Sequence, residues 1–417
     1  MKTKRYALIL AICNFCNGLL ASILSLAFLS KGLTLSTIGF GLAAFSAAAV
    51  LLEVPSGVAA DMLGKKRVFI LSMAVTAAAF LIILPGFGPL WTIGGLALYG
   101  VGRALSSGTM EALFISRYRN AFGPENLPHG MKILSLCESA GLGLGALAGG
   151  ILPAALAALI PLFGPYDLPL LLRALLSLAA ACLAAILIPE DTQDTQKKSI
   201  SLKRQLQEGV LLFRGSRNLK SLLIAVVGVG FALAFLEVYW QPRMLSLLGG
   251  GQDKTVFLGV MSLVYFAAVA VGSLFSERAL KSRHISQKSV FLSARLVMLL
   301  LLIGAAFAGH PAVFAASYCA AYFMFGASNV AEGSIFHQEV PDSQRASFLS
   351  MQSLLLQVGF MTASAISGVL VEAFSISGTW VIGAIVAALL LLPSFGMKAP
   401  ILSSVDSGPA GTEVKGA

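Results

Sequence analysis

Twelve long apolar segments recur along almost the whole chain, and their length limits what the chain can fold into. A helix needs roughly twenty apolar residues to cross about 30 Å of hydrocarbon. The segments are continuous, whereas strands of a membrane barrel would alternate in blocks of about ten residues. We therefore predict an all-α membrane protein with twelve transmembrane helices, at approximately 6–29, 37–59, 68–87, 90–116, 131–156, 168–188, 220–247, 255–277, 289–308, 311–336, 346–371 and 376–396.

The charged residues support a membrane location and suggest an orientation. Only 12% of the 417 residues are charged, whereas a soluble domain carries about a quarter. Lysines and arginines cluster in every second loop, as in Lys2 to Arg5 and Lys65 to Arg67. Positive residues mark cytoplasmic loops, so we expect both termini and the central loop inside. The net charge of +10 then reflects topology, and no nucleic acid partner is expected.

A long hydrophilic segment divides the chain into two sets of six apolar segments. We predict an N-terminal six-helix bundle at 1–188, a cytoplasmic central loop at 189–219, a C-terminal six-helix bundle at 220–396 and a disordered cytoplasmic tail at 397–417. A weak internal repeat agrees with this division. SGTMEALF in the fourth segment parallels SNVAEGSI in the tenth, which predicts two six-helix pseudo-repeats.

A short polar loop, GVAADMLGKKR at 57–67, follows the second apolar segment. Gly57 and Gly64 allow a sharp turn, and Asp61 can face a helix N-terminus. This G-x-x-x-D-x-x-G-K-K pattern resembles the signature loop of major facilitator superfamily transporters. The resemblance covers roughly residues 5–396. It implies the major facilitator fold, with a substrate cavity between the two halves near the bilayer midplane.

The fifth segment contains a run of glycines, GLGLGALAGG at 141–150. It is similar to the g-x-x-x-G-P-x-x-G-G motif of drug and proton antiporters, although Ala146 stands where that motif has proline. The resemblance implies an antiporter-like role for four residues. A generic close contact between helices explains the same spacing, so both interpretations stay open for Gly141, Gly145, Gly149 and Gly150.

An ionisable side chain inside a span costs about 2.5 to 3.5 kcal/mol and needs a partner or a function. Counting about 1.5 Å per residue places Arg103 and Glu138 at similar depths, and we predict that they pair. Either Glu138 takes up and releases a transported proton, or the pair only locks two helices together. Glu237 is the rival proton site. Its neighbours Tyr239 and Trp240 form either a binding box or an interfacial belt.

A gate is expected at the cytoplasmic ends of the helices. The resemblance implies that Glu111 and Glu332 pair with loop arginines in the outward-facing state, and solvated interfacial acids are the alternative. Asp61 is expected to contact a helix N-terminus near 343–346. The predicted gate residues are Gly57, Asp61, Gly64, Lys65, Lys66, Glu111, Arg117, Glu332 and Arg345.

Polar residues inside the spans supply the remaining candidates. Amides line cavities but also bond one helix to another. Arg173 and Arg295 are expected near the membrane faces, where long side chains can snorkel. No metal-ligand cluster, Walker A motif or nucleophile and base motif occurs, so we predict no metal, no cofactor and no enzymatic activity. The substrate cavity candidates are Asn14, Asn17, Glu237, Asn329, Gln352 and Gln357.

Together these features predict a secondary active transporter that works by alternating access as a monomer in a bacterial inner membrane. Its expected partners are a small-molecule substrate, protons and the lipid bilayer. The leading hypothesis is proton-coupled export of small amphipathic molecules, as in multidrug efflux. Proton-coupled uptake of a nutrient and export of a siderophore or lipid are the alternatives.

Overall fold

The computed structural model describes residues 2–123, 126–156, 164–190, 216–281, 285–340 and 345–397. We call residues 2–190 the N-half and residues 216–397 the C-half. The helices of the N-half are α1 (Lys2–Ala21), α2 (Leu24–Leu29), α3 (Leu35–Leu63), α4 (Lys65–Ile83), α5 (Pro89–Ser106), α6 (Thr109–Phe122), α7 (Leu127–Leu156) and α8 (Asp167–Leu187). Those of the C-half are α9 (Arg217–Leu247), α10 (Thr255–Lys281), α11 (Gln287–Phe307), α12 (Pro311–Glu339) and α13 (Arg345–Phe395).

Local chemistry explains where several helices begin. Thr34 and Ser216 cap α3 and α9, because each side-chain oxygen accepts a hydrogen bond from the backbone amide three residues later. Pro89 and Pro311 occupy the first positions of α5 and α12, where proline's missing N–H costs nothing. Gly64, at φ 92°, separates α3 from α4, so the sharp turn predicted in the 57–67 loop is present.

The described helices match the predicted segments with three differences. The first segment is divided into α1 and α2, and the fourth into α5 and α6. The last two segments form α13, interrupted at Ser375, where φ is 61°. Within the described residues, nine helices are long and apolar enough to cross a membrane. The all-α class is confirmed, and the count of twelve crossings stays a prediction.

The break between α5 and α6 is a feature that the sequence analysis missed. Gly108 adopts a left-handed conformation with φ 65°, which glycine reaches at little cost. The hydroxyl of Ser107 donates a hydrogen bond of 3.0 Å to the carboxylate of Glu53 on α3. In the C-half, α12 continues through Ser328 without interruption. The fourth and tenth segments, which are similar in sequence, therefore differ in backbone conformation.

The glycines of the fifth segment form helix contacts. Gly141, Gly145 and Gly149 on α7 face α1, where an added Cβ at each would overlap backbone atoms. Gly150 instead faces Gly259 of α10 in the other half. Small residues let backbones approach closely, so the packing interpretation explains all four glycines.

The halves are joined toward one end of the bundle. We call the end carrying the turn between α3 and α4 the basic end, and the end where α1 and α9 finish the opposite end. Contacts between α3 and α13 and between α7 and α10 also join the halves. The hydrogen bonds between described residues of the two halves lie toward the opposite end, and they run from Ser25 N to Gln241 Oε1 (2.8 Å), Ser25 Oγ to Val238 O (2.6 Å), Gln241 Nε2 to Ala21 O (2.7 Å) and Thr255 Oγ1 to Gly150 O (2.7 Å).

Candidate functional site

A cavity of about 300 Å³ lies within the N-half, bordered by side chains from α1 and from α3 to α8. Its volume is at the lower end of the range for small-molecule sites, about 300 to 1,000 Å³. Because the halves are joined toward the opposite end, solvent reaches this N-half cavity from the basic end. The polar residues that carry its chemistry are Asn14, Asn17, Tyr99, Arg103, Glu111, Glu138 and Arg173.

Three charged side chains of the cavity are exposed to solvent: Arg103, Glu111 and Glu138. The charges of Arg103 and Glu111 both act on Glu138. No ion pair joins Arg103 to Glu138 among the described side chains, so the predicted pair is not formed in this conformation. Counting residues along a helix gives depth but not rotation about the helix axis, and both side chains turn toward the solvent-filled cavity.

Arg173 of α8 lies at the closed part of the cavity and is only 4% exposed. Its Nη2 donates hydrogen bonds to Asn17 Oδ1 (2.8 Å) and to the hydroxyl of Tyr99 (3.4 Å). Its guanidinium lies 5.6 Å from the ring centroids of both Phe80 and Tyr99, a favourable cation–π distance. The expectation that Arg173 snorkels to a membrane face is wrong, because these groups give it buried partners.

A second buried arginine, Arg295 of α11, forms an ion pair in the C-half. Its Nη2 lies 2.7 Å from Glu332 Oε2 and donates to Asn329 Oδ1 at 2.9 Å. Gln352 Nε2 donates to Glu332 Oε1 at 2.6 Å. Arg295 and Glu332 are 3% and 4% exposed. The expectation of a snorkelling Arg295 is therefore wrong, since α11 and α12 turn the two residues toward each other. In this conformation Glu332 is not solvated, and its pairing with a loop arginine in the outward-facing state stays a prediction.

The side chain of Glu237 is exposed although its helix, α9, is largely buried. Its charge acts on Tyr265, Tyr318 and Tyr322. Trp240, 1% exposed, packs against Tyr265 and Tyr318 at centroid distances of 5.9 and 5.5 Å. Tryptophan in an interfacial belt would face the lipid headgroups. The burial of these rings argues against the belt, and the rings pack against one another in the hydrophobic core.

The predicted 57–67 loop is helical except at Gly64, and the start of α4 is held to the end of α8. Lys66 is buried, and its Nζ donates to the carbonyl of Ala185 at 3.0 Å and lies 3.6 Å from Glu190 Oε1. Arg67 Nε lies 3.5 Å from Glu190 Oε2. Asp61 is exposed. Its expected contact near 343–346 falls outside the described side chains.

The other predicted residues have simpler surroundings. Gly57 faces open space, and Asn14 donates to Leu10 O of its own helix at 3.0 Å. Lys65, Arg117 and Gln357 are partly buried, and no hydrogen bond or ion pair joins their side chains to other described ones. The side chain of Arg345 lies outside the described part.

Sequence reasoning missed Glu53, which supports the break between α5 and α6. It lies inside the second apolar segment, so the criterion applied to the other acids would have found it. Its partner Ser107 is 54 residues away, and no sequence pattern indicated that contact.

The chain matches the family model of the Major Facilitator Superfamily over residues 7–282 and 255–413. It belongs to this superfamily and is therefore a multi-pass membrane transporter. The uncharacterized MFS-type transporter YxaM of Bacillus subtilis (strain 168) is 25% identical over 395 residues, which cover 90% of each chain.

Solved structures of transporters share the fold. The nucleoside transporter NupG superposes with a TM-score of 0.78 at 18% identity, covering 95% of this chain and 100% of that one. An inward-facing, occupied bacterial homolog of the human lysosomal transporter Spinster gives a TM-score of 0.76 at 12% identity, covering 94% and 95%. The superfamily predicted from the 57–67 loop is thus confirmed. The drug and proton antiporter subgroup finds no support in these relatives.

Proposed function

We propose that this transporter carries a small polar molecule by alternating access, through the N-half cavity and the facing surface of the C-half. One observation carries the proposal. The N-half cavity is lined by charged side chains and opens toward the basic end, while the two halves contact each other toward the opposite end. In the proposed cycle, that contact opens while the basic end closes, by rocking of one half against the other.

The basic end is proposed to lie in the cytoplasm of a bacterial cell, because lysines and arginines favour that side of the inner membrane. The conformation described is then inward-facing, with the site open to the cytoplasm. Both termini are proposed to lie on the same side.

A polar substrate fits the N-half cavity better than the amphipathic drugs of the leading sequence hypothesis. Sites for drug-like molecules are lined predominantly by apolar and aromatic side chains. This cavity has apolar lining residues too, such as Phe45, Phe69 and Met73, but it also presents two arginines and two glutamates. The four are Arg103, Arg173, Glu111 and Glu138. The glycines that suggested drug export are accounted for by helix packing. The same cavity is therefore compatible with proton-coupled uptake of a nutrient as well as with export.

Glu138 is proposed as the proton-binding group. A carboxylate's proton affinity depends on its burial and on neighbouring charges, and Arg103 and Glu111 both act on Glu138. Rocking of the halves would change that environment between the two states. Glu237 is the rival, because it is an exposed acid on a largely buried helix of the C-half.

The test is a transport screen in inside-out vesicles under an imposed pH gradient, which reports substrate, direction and coupling together. Glu138→Gln keeps the shape and removes the charge. We expect it to abolish gradient-driven transport while exchange without a gradient continues. Glu277→Gln, at an exposed glutamate on α10, is the matched control and should transport normally. Normal transport by Glu138→Gln together with failure of Glu237→Gln would move the proton site to the C-half.

A further inference from the structure

We propose that Arg173 and Asn17 form an anion-binding subsite at the closed part of the N-half cavity. The subsite would hold an oxyanion of the transported molecule, a carboxylate or a phosphate. The inference rests on the proposed function and deepens it by naming the chemical class of the substrate.

The two arginines that are buried among the described side chains differ in how their charges are compensated. Arg295 is paired with Glu332 at 2.7 Å. Arg173 is as deeply buried, but among the described side chains it has no carboxylate partner, and its oxygen acceptors are the neutral Asn17 and Tyr99. A buried charge is unfavourable unless an opposite charge and hydrogen bonds compensate it. Arg173 lines a cavity, so an anionic ligand is able to supply the missing charge.

The hydrogen-bonding capacity of Arg173 is only partly used. Both of its hydrogen bonds to oxygen come from Nη2, and its buried Nε has no acceptor. The thiol of Cys16 is the other polar neighbour. A guanidinium presents five N–H donors in a planar fork that matches the two oxygens of a carboxylate or phosphate. Arginine at this position is therefore suited to an oxyanion.

The other charges of the cavity favour one orientation of the ligand. Arg173 lies about 9 Å along α8 from its start at the opposite end, whereas Arg103 lies about 21 Å along α5 from the same end. Glu111 and Glu138 lie toward the basic end. An anion is favoured beside Arg173 and disfavoured beside the two glutamates, so the ligand's anionic group would enter first.

Arg173 could instead serve only to link α1, α5 and α8 through Asn17 and Tyr99. The variant Asn17→Asp separates the two roles. It places a carboxylate of nearly the same shape where Nη2 already donates. An internal carboxylate preserves a structural link, but it neutralises the charge that an anionic ligand requires.

The experiment uses the purified full chain in lipid nanodiscs and measures thermal unfolding with matched probes. Benzoate is compared with benzamide, phenyl phosphate with phenol, and inorganic phosphate is added alone. We expect at least one of the anions to raise the unfolding temperature and its neutral counterpart not to do so. The benzoate and phenyl phosphate arms tell a carboxylate site from a phosphate site.

Arg173→Gln should weaken the apparent affinity for the active anion by about tenfold or more, as expected for loss of a charged hydrogen-bond donor. Asn17→Asp should remove the response while leaving the protein folded, and this variant carries the test if Arg173→Gln fails to fold. Arg243→Gln, at an arginine bonded to Ala308 O outside the cavity, should respond like the unmodified protein.

The inference is overturned if no anion stabilises the protein, if the neutral probes stabilise it equally, or if Asn17→Asp retains the full response. These results leave the proposed function intact, because transport of a neutral solute would continue through the same cavity. If the protein binds the anions but transports nothing in the vesicle screen, the proposed function fails while the anion-binding subsite stands.

Discussion

At the residue scale, the ion pair between Arg295 and Glu332 differs from the other ion pairs between described side chains. Both partners are almost fully buried. Asn329 accepts a hydrogen bond from Arg295 Nη2 and Gln352 donates one to Glu332, while the buried Nε of Arg295 has no acceptor among the described groups. Removing one member leaves the other charge buried and uncompensated, which costs about 3 to 5 kcal/mol in such pairs. The arrangement therefore holds α11, α12 and the start of α13 together.

Glu332→Gln is expected to lower the free energy of unfolding by about 3 kcal/mol, because it leaves Arg295 without its counter-charge. Reversible denaturation of the purified protein in detergent measures the change. Glu277→Gln, which breaks an exposed pair with Lys281 on one helix, is the control and should leave stability unchanged. Equal stability of Glu332→Gln and the unmodified protein would show that the buried pair contributes nothing to the fold.

The sequence identified most of these charged residues but not their partners. Apolar context marked Arg173, Arg295 and Glu332 as unusual. Position along a helix indicates depth, whereas the partner depends on how far each helix is rotated and on which helices are neighbours. That information lies in contacts between distant segments. Arg295 and Glu332, for example, are 37 positions apart in the sequence.

At the scale of helices, the contact between α1 and α7 depends on glycines. An added Cβ at Gly145 would overlap the carbonyl oxygen of Phe15, and backbone atoms cannot move aside as a flexible side chain can. Overpacking of this kind costs about 1 to 3 kcal/mol.

Gly145→Ala should therefore lower the unfolding temperature of the purified protein. Gly94→Ala is the matched control, because Gly94 lies in α5 with no atom near its added Cβ, and alanine is the better helix former. We expect it to be neutral or stabilising. If the two variants unfold at the same temperature, the helices do not pack as closely as described.

Helix existence was predictable here because each span is long and apolar, and the turn at Gly64 was predictable from its glycine and flanking charges. The break at Ser107 and Gly108 was not. Serine and glycine do not by themselves mark the end of an apolar segment. The contact that supports the break comes from Glu53 on another helix. Local sequence carries propensity, whereas tertiary contact decides whether the helix is broken.

At the scale of the whole molecule, the sequence predicted the superfamily but not which end of the cavity is closed. A transporter that rocks between two states has one sequence for both, and the free energies of the two states differ by only a few kcal/mol. The observed closure toward the opposite end depends on contacts such as those of Ser25 and Gln241, which rocking must break.

Locking that closure tests alternating access most directly. An added Cβ at Gly39 of α3 lies 3.5 Å from Cβ of Ser367 on α13, within the range for a disulfide, about 3.5 to 4.5 Å. It also lies 2.8 Å from the backbone oxygen of Ser364, so α3 and α13 must move apart slightly to admit the cysteine. The variant carries Gly39→Cys and Ser367→Cys, with the five native cysteines replaced by alanine. Each single-cysteine variant serves as a control for the substitutions themselves.

The measurement is the rate of substrate transport in vesicles before and after oxidation of the cysteine pair, with reduction as the reversal step. We expect the reduced variant to transport, oxidation to stop transport, and reduction to restore it. Oxidation should leave the single-cysteine controls unchanged. Undiminished transport with the disulfide fully formed would contradict alternating access through this cavity.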